Sequence, residues 1–402
     1  MKIGRPFGRT PKQKSSKLYD DRMENAGKQP VETPGYEPFA SLAGFVACLA
    51  GAGVFCVSSG HVAVGIGLFV FAFLPAALVV AQGVQLGKQI ASGEVALAPK
   101  VAGEAYGPEA DRFWAIENKA LTKAELDDAD EKRAAELAAA ESWFEAAQAS
   151  FDTVDLEAED GARLVGHALR AQEPSPYWLI YAHGLGGSWK SGAAFARRFA
   201  ESGYNLLLVN MRAQGESGGA LTGYGHLERR DLLAWSSWVA RTDAAARIVL
   251  AGFSAGGDAV LEAAGEKDVP EQVMAVVADS AYADLWNEAI HVMGRMGANG
   301  KALPAHPVLD IARLSFRSRK GGFDLADASA VKAVEHAQVP ILVLHGEDDA
   351  AVPPFSADRL GEAASGPHEV VKFPGAGHCC ASVADPEPYY EAVFSFLANL
   401  PA

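Results

Sequence analysis

The chain has 402 residues, 49% of them hydrophobic and 21% charged. That is enough for one large domain and something more, with core to spare and no need of disulfide or metal staples. The composition excludes a disordered, collagen-like or disulfide-framework chain. A formal net charge of −15 argues against a nucleic-acid partner, because phosphate binding wants a basic face. The four cysteines, Cys48, Cys56, Cys379 and Cys380, lack metal-ligand spacing and read as thiols rather than a staple set, with Cys379 and Cys380 expected to be small buried thiols.

The charge is unevenly placed. Residues 1–19 carry six Lys/Arg and no acid, whereas Pro38 to Gly87 carries no charged side chain at all. Two apolar runs lie there, Phe39–Val57 and Val62–Ala81, parted by Ser58-Ser59-Gly60-His61. A membrane-crossing helix needs about 20 apolar residues, and these runs begin too late and run too long for a signal peptide. The expectation is a basic cytoplasmic tail over 1–38 and a two-helix transmembrane hairpin in the lipid bilayer over 39–82. The rest of the chain then returns to the cytoplasmic side of the cell membrane, whereas a single crossing would leave it outside. Ala43, Ala47 and Gly51 form a small-residue stripe suited to close helix approach. Residues 83–150 read as a helical linker, because Ala110–Ala149 is rich in Ala, Glu and Lys and lacks Pro and Gly. Its charge run Glu125–Glu136 reads as a solvated face.

Residues 151–402 alternate strand and helix. Val154–Glu159 and Arg163–Ala168 flank Asp160-Gly161 and predict a hairpin. Strands are then expected at Trp178–Ala182, Tyr204–Asn210, Arg247–Phe253, Val273–Asp279, Ile341–His345 and Glu369–Phe373. Helices are expected at Gly192–Ser202, His226–Arg241, Ala255–Ala264, Phe355–Ala364 and Pro388–Leu397. Short continuous apolar strands alternating with helices predict a mostly parallel sheet covered on both faces, with its site beyond the carboxyl ends of the strands. The stretch from 281 to about 338 has no strand pattern and reads as a helical lid. Its Trp286, Met293, Met296, Phe316 and Phe323 either line an acyl pocket or pack the lid down. Its basic run Arg313–Lys320 either meets an anionic headgroup or carboxylate substrate, or faces solvent.

The chemistry-bearing motif is Gly252-Phe253-Ser254-Ala255-Gly256, a G-x-S-x-G between strand and helix. Small neighbours allow the sharp turn that lifts the serine hydroxyl above the sheet. A hydroxyl needs a base, and His378, beyond the last strand, follows Ser254 in the expected order. His183 and His345, each preceding a glycine at a strand end, read as structural. The acid that orients the base belongs after the preceding strand, where Glu347, Asp348 and Asp349 stand in a row and spacing does not choose among them. Oxyanion donors are expected from the amide of Ala255 and, in the loop His183-Gly184-Leu185-Gly186-Gly187, from that of Leu185. The same loop is not a nucleotide P-loop, because Trp189 rather than Gly precedes Lys190. No motif asks for a cofactor or a metal.

Together these segments resemble the α/β-hydrolase superfamily, in particular the membrane-anchored bacterial group labelled serine aminopeptidase-like. The likeness rests on His183-Gly184-Leu185-Gly186, Gly252–Gly256, His345-Gly346-Glu347-Asp348-Asp349-Ala350-Ala351-Val352-Pro353 and Gly377-His378. The family pattern H-G-x-x-D-x-x-V-P puts the acid at Asp349. Asn210–Ser217 is similar to the family's D-x-R-G-H-G-x-S loop but departs from it at Asn210, Ala213 and Gln214. The resemblance implies a Ser254–His378–Asp349 serine hydrolase acting on a small-molecule ester or thioester. A serine peptidase or aminopeptidase is the alternative within the fold, and a non-catalytic binding protein is the alternative outside enzymology.

Overall fold

The computed structural model describes residues 62–93, 123–295 and 306–400, with Val54 and Ser58; over 63–76 and 123–130 only the backbone is described. The chain divides into two units, Met1–Ala77 and Leu78–Ala402.

The larger unit is built on eight strands: β1 (Asp152–Glu157), β2 (Arg163–Leu169), β3 (Tyr177–Ala182), β4 (Asn205–Val209), β5 (Arg247–Phe253), β6 (Val273–Asp279), β7 (Ile341–Gly346) and β8 (His368–Phe373). They form one sheet in the order β1-β2-β4-β3-β5-β6-β7-β8. The β1–β2 hairpin turns at Asp160-Gly161, and β2 runs antiparallel to both its neighbours. From β4 to β8 every pairing is parallel. The central strands β4, β5 and β7 are buried almost throughout, which is why they read as unbroken apolar runs.

The helices are α1 (Val62–Ser92), α2 (Lys123–Ala147), α3 (Ala193–Glu201), α4 (Glu228–Thr242), α5 (Ala255–Ala264), α6 (Leu285–Arg295), α7 (Val308–Arg317), α8 (Ala330–Val334), α9 (Phe355–Ala363), α10 (Ala381–Ala384) and α11 (Pro386–Ala398). One core lies between the sheet and residues of α4, α5, α8 and α9 such as Trp235, Val260, Val334 and Leu360. A second, with Phe195, Phe199, Tyr389 and Phe396, lies between the sheet and α3 and α11. A third joins the end of α1 to the insert after β6, around Ile90, Tyr282, Trp286 and Phe316.

Several expectations change here. Among the fully described residues no helix is long and apolar enough to cross a membrane. The run Phe39–Val57 lies outside the described residues except Val54, as does the stripe Ala43-Ala47-Gly51. The run Val62–Ala81 does not end before a linker: it is part of one 31-residue helix that continues to Ser92. The last turns of that helix are seated on α7. A Cβ at Gly83 would stand 2.5 Å from the Ile311 Cβ, and one at Gly87 would stand 2.7 Å from the Ala312 carbonyl oxygen, so glycines four apart let the two helices touch.

The solvated face expected in α2 also proves wrong at Glu136, which is 5% exposed. The insert, finally, is not a lid throughout. Trp286, Met293 and Phe316 are buried as packing, and α8 belongs to the main core beneath the sheet. Arg313 and Arg317 of the basic run are both held by Asp324, at 2.5 and 3.3 Å.

Candidate active site

Ser254 sits between the end of β5 and the start of α5, with φ 53° and ψ −122°. A non-glycine residue in that region carries backbone strain, and the surroundings enforce it. A Cβ at Gly252 would lie 2.1 Å from the Gly256 carbonyl oxygen, and one at Gly256 would lie 2.2 Å from that of Ala182. No side chain fits at either flank. The Ser254 amide donates to the Asp279 carbonyl at 2.9 Å, tying the turn to β6.

The loop after β8 brings His378 Nε2 to 3.0 Å from Ser254 Oγ. On the other side His378 Nδ1 lies 2.7 Å from Asp349 Oδ2. An ionised carboxylate only accepts, so Nδ1 carries the proton and the neutral ring leaves Nε2 to accept from the hydroxyl. Asp349 is buried after β7, and its Oδ1 accepts from the amides of Ala351 and Val352, each at 2.8 Å. His345 Nε2 donates to the Val352 carbonyl at 3.0 Å and lies 3.3 Å from Asp349 Oδ2. Of the three acids in the row, Asp349 is the one bonded to the imidazole; Glu347 is exposed, and Asp348 is buried with its amide on the Ala376 carbonyl.

The electrostatics follow from this pairing. Burial alone would raise the Asp349 carboxyl, but the charge of His378 and the hydrogen bonds from His345 and His378 outweigh it and hold the group well below the usual range. Burial alone would lower His378; the adjoining Asp349 charge and hydrogen bond, with a contribution from Cys379, lift it well above an ordinary histidine instead.

The oxyanion loop after β3 approaches the serine closely. A Cβ at Gly184 would be 3.3 Å from the Ser254 Cβ. The amides of Leu185 and Ala255 make no backbone hydrogen bond among the described residues, and both residues line the same cavity as Ser254. The segment Asn210–Ser217 braces this loop. Asn210 Oδ1 accepts from the Trp189 amide at 3.1 Å, and Gln214 Oε1 accepts from the Gly186 amide at 2.5 Å. His183 is structural, donating from Nδ1 to the Gly184 carbonyl at 2.7 Å and accepting from the Met211 amide at 3.0 Å. Burial takes its pKa down to about 4, so it keeps the neutral form that this pattern requires.

The sequence did not disclose the support behind His378. Asp279, fully buried, accepts from Ser280 Oγ and from the Tyr389 hydroxyl, each at 2.8 Å, while Ser280 Oγ accepts from the Cys379 amide at 3.0 Å. The one sequence signal for it is a carboxylate ending an otherwise apolar strand. Cys379 and Cys380 are not buried thiols; both are half-buried on the cavity wall, neither is in a disulfide, and Cys380 Sγ donates to the His378 carbonyl at 3.2 Å.

That cavity has a volume of about 460 Å³, and its lining is mostly apolar, as in small-molecule sites generally. Its charged or titratable lining includes Arg133 from α2 and Glu288 from α6 beside His378. Among the described residues no cluster of His, Cys, Asp and Glu could hold a metal ion.

A family model described as alpha/beta hydrolase fold matches residues 177–299. The chain is 27% identical over 231 residues to the uncharacterized protein YqkD of Bacillus subtilis, spanning 57% of this chain and 74% of that one. It is 26% identical over 260 residues to the uncharacterized protein YfhR of Escherichia coli, spanning 62% and 81%. Among solved structures, the esterase Pf2001 of Pyrococcus furiosus aligns with a TM-score of 0.49 at 22% identity, over 63% of this chain and 92% of that one. The strand order, the strand–serine–helix turn and the family match over residues 177–299 together define the architecture: the larger unit has the α/β-hydrolase fold.

Proposed function

We propose that the protein is a serine hydrolase that cleaves a carboxylic ester or thioester through an acyl-enzyme on Ser254. The observation that carries this is the continuous hydrogen-bonded line from Ser254 Oγ to His378 to Asp349, at 3.0 and 2.7 Å. In this mechanism His378 Nε2 takes the hydroxyl proton as Oγ bonds to the acyl carbon. The oxyanion is met by the Leu185 and Ala255 amides, donors fixed before the charge develops. The intermediate collapses, the carbon–oxygen or carbon–sulfur bond breaks, and His378 returns the proton to the leaving group. Water then repeats the sequence to free the acid. Asp349 holds the tautomer and stabilises the imidazolium. A line in which every member is hydrogen-bonded to the next is more than a binding protein needs.

The test is hydrolysis of p-nitrophenyl butyrate by wild type and Ser254→Ala. The variant is expected to lose turnover to the background rate; turnover at the wild-type rate would end the assignment. One observation favours a second reading. An aminopeptidase needs an acid to hold the substrate amine, and Glu288 lines the cavity. Aminoacyl anilides cleaved in preference to esters would select it.

Attachment to a bilayer through residues 39–82, with the hydrolase body on the cytoplasmic side, is part of the same proposal. Its support is the uncharged stretch from Pro38 to Gly87 behind a basic tail.

A further inference from the structure

Helix α2 is fastened to the body on one side and open to the cavity on another. On the fastened side Glu136 Oε1 accepts from Arg197 Nη2 at 2.6 Å and from Arg198 Nε at 3.1 Å, and Oε2 accepts from Arg198 Nη2 at 2.8 Å. Lys132 Nζ adds a contact with Asp385 at 3.7 Å. Arg133 and Leu137, one turn apart, lie on the face that lines the cavity holding Ser254.

Arg133 contrasts with several other arginines of this body. Arg212, Arg230, Arg313 and Arg359 each hold a carboxylate within 3.0 Å. Arg133 is half-buried and makes no hydrogen bond or ion pair among the described residues, in a chain of net charge −15 with acids to spare. A guanidinium stays charged at any working pH and presents a fork of donors matched to carboxylate or phosphate. None of its nitrogens is among the buried polar atoms left without a partner, so the fork is open from the cavity side to a ligand.

We propose that Arg133 is a specificity-determining residue that binds an anionic group on the substrate, so that the preferred ester joins an apolar segment to a carboxylate or similar anion. The apolar walls take the segment and α2 takes the charge. This rests on the ester-hydrolase reading of Ser254.

The test compares kcat/KM for two matched pairs of esters, corrected for spontaneous hydrolysis. Mono-p-nitrophenyl glutarate against p-nitrophenyl pentanoate puts the anion on the acyl side. 4-Acetoxybenzoate against phenyl acetate puts it on the leaving-group side. In wild type one of the two anionic esters is expected to be favoured, and the pair that shows it identifies the side. Arg133→Gln is expected to lower that ratio by about tenfold or more, mainly through KM, as loss of a charge-assisted hydrogen bond does. Arg133→Lys should retain more of the ratio than Arg133→Gln.

Circular dichroism and fluorophosphonate labelling of Ser254 on the same samples separate the causes of failure. Intact labelling with both ratios equal in wild type and Arg133→Gln overturns the role of Arg133 alone. No labelling and no turnover of any of the four esters overturns the serine-hydrolase reading and this inference with it.

Discussion

Asp349 accepts four hydrogen-bond or ion contacts, two from backbone amides and two from imidazoles, and this fixes how the site should respond to pH. The base works only when neutral, so activity rises as pH climbs through the His378 pKa. That pKa is raised above the ordinary 6.5 by the Asp349 charge, so the rising limb should lie above 6.5. Asp349→Asn removes the charge that lifts it. The limb should move toward lower pH, and kcat should fall by about 10⁴-fold because the tautomer is no longer held. A pH–rate profile of the variant checks both; an unmoved limb would detach Asp349 from the base. At this scale the sequence was informative for Ser254 and His378, since a strand–turn–helix serine and a histidine after the last strand are positional signals. It was silent between Asp348 and Asp349, because two adjacent carboxylates differ only in where the loop turns, and there the family resemblance supplied the choice. The Asp279–Ser280–Tyr389 network was illegible because Tyr389 lies 110 residues from Asp279 in sequence.

Among the elements, α2 shows what pattern reading misses. An Ala, Glu and Lys-rich helix looks solvated all round, yet Glu136 is a buried anion with two arginines on it. Removing one member of such a cluster strands the others. Glu136→Gln is expected to cost about 2–3 kcal/mol, less than a fully buried pair because Arg197 and Arg198 keep contacts with Glu201 and Glu387. Burial alone would raise the Glu136 carboxyl, but its hydrogen bonds to Arg198 and Arg197 lower it below the ordinary 4.5. Its stabilisation is therefore complete above 4.5 and is lost as pH falls through the depressed folded value. Urea unfolding of the two proteins at neutral and acid pH should show a difference that shrinks on acidification; a constant difference would contradict the ion-pair account. The α1–α7 contact is a second case. Gly83 and Gly87 stand four apart in plain view, but only the partner helix shows that the gap is filled by Ile311 and Ala312. Gly87→Leu should push α1 off α7, read as faster amide exchange at Ile90 and Ala91, and unchanged exchange would contradict the packing. The sheet itself was read almost strand for strand, because a strand covered on both faces advertises itself as a short apolar run.

For the molecule as a whole, the fold sets the chemistry at one edge. Loops after β3, β5, β7 and β8 converge beyond the carboxyl ends of parallel strands, bringing together residues as distant as 184 and 378, while α2 and the insert after β6 supply cavity walls outside the sheet. The N-terminal part carries a separate prediction. Full-length protein expressed in cells should sediment with membranes and resist carbonate extraction, and a chain lacking residues 1–77 should not; equal partition of the two would contradict attachment through that segment. The central claim concerns one hydroxyl. Wild-type protein treated with a fluorophosphonate and mapped by peptide mass spectrometry should carry a single adduct on Ser254, with labelling lost in Ser254→Ala and strongly slowed in His378→Ala. An adduct on another residue, or labelling undiminished in Ser254→Ala, would contradict the account.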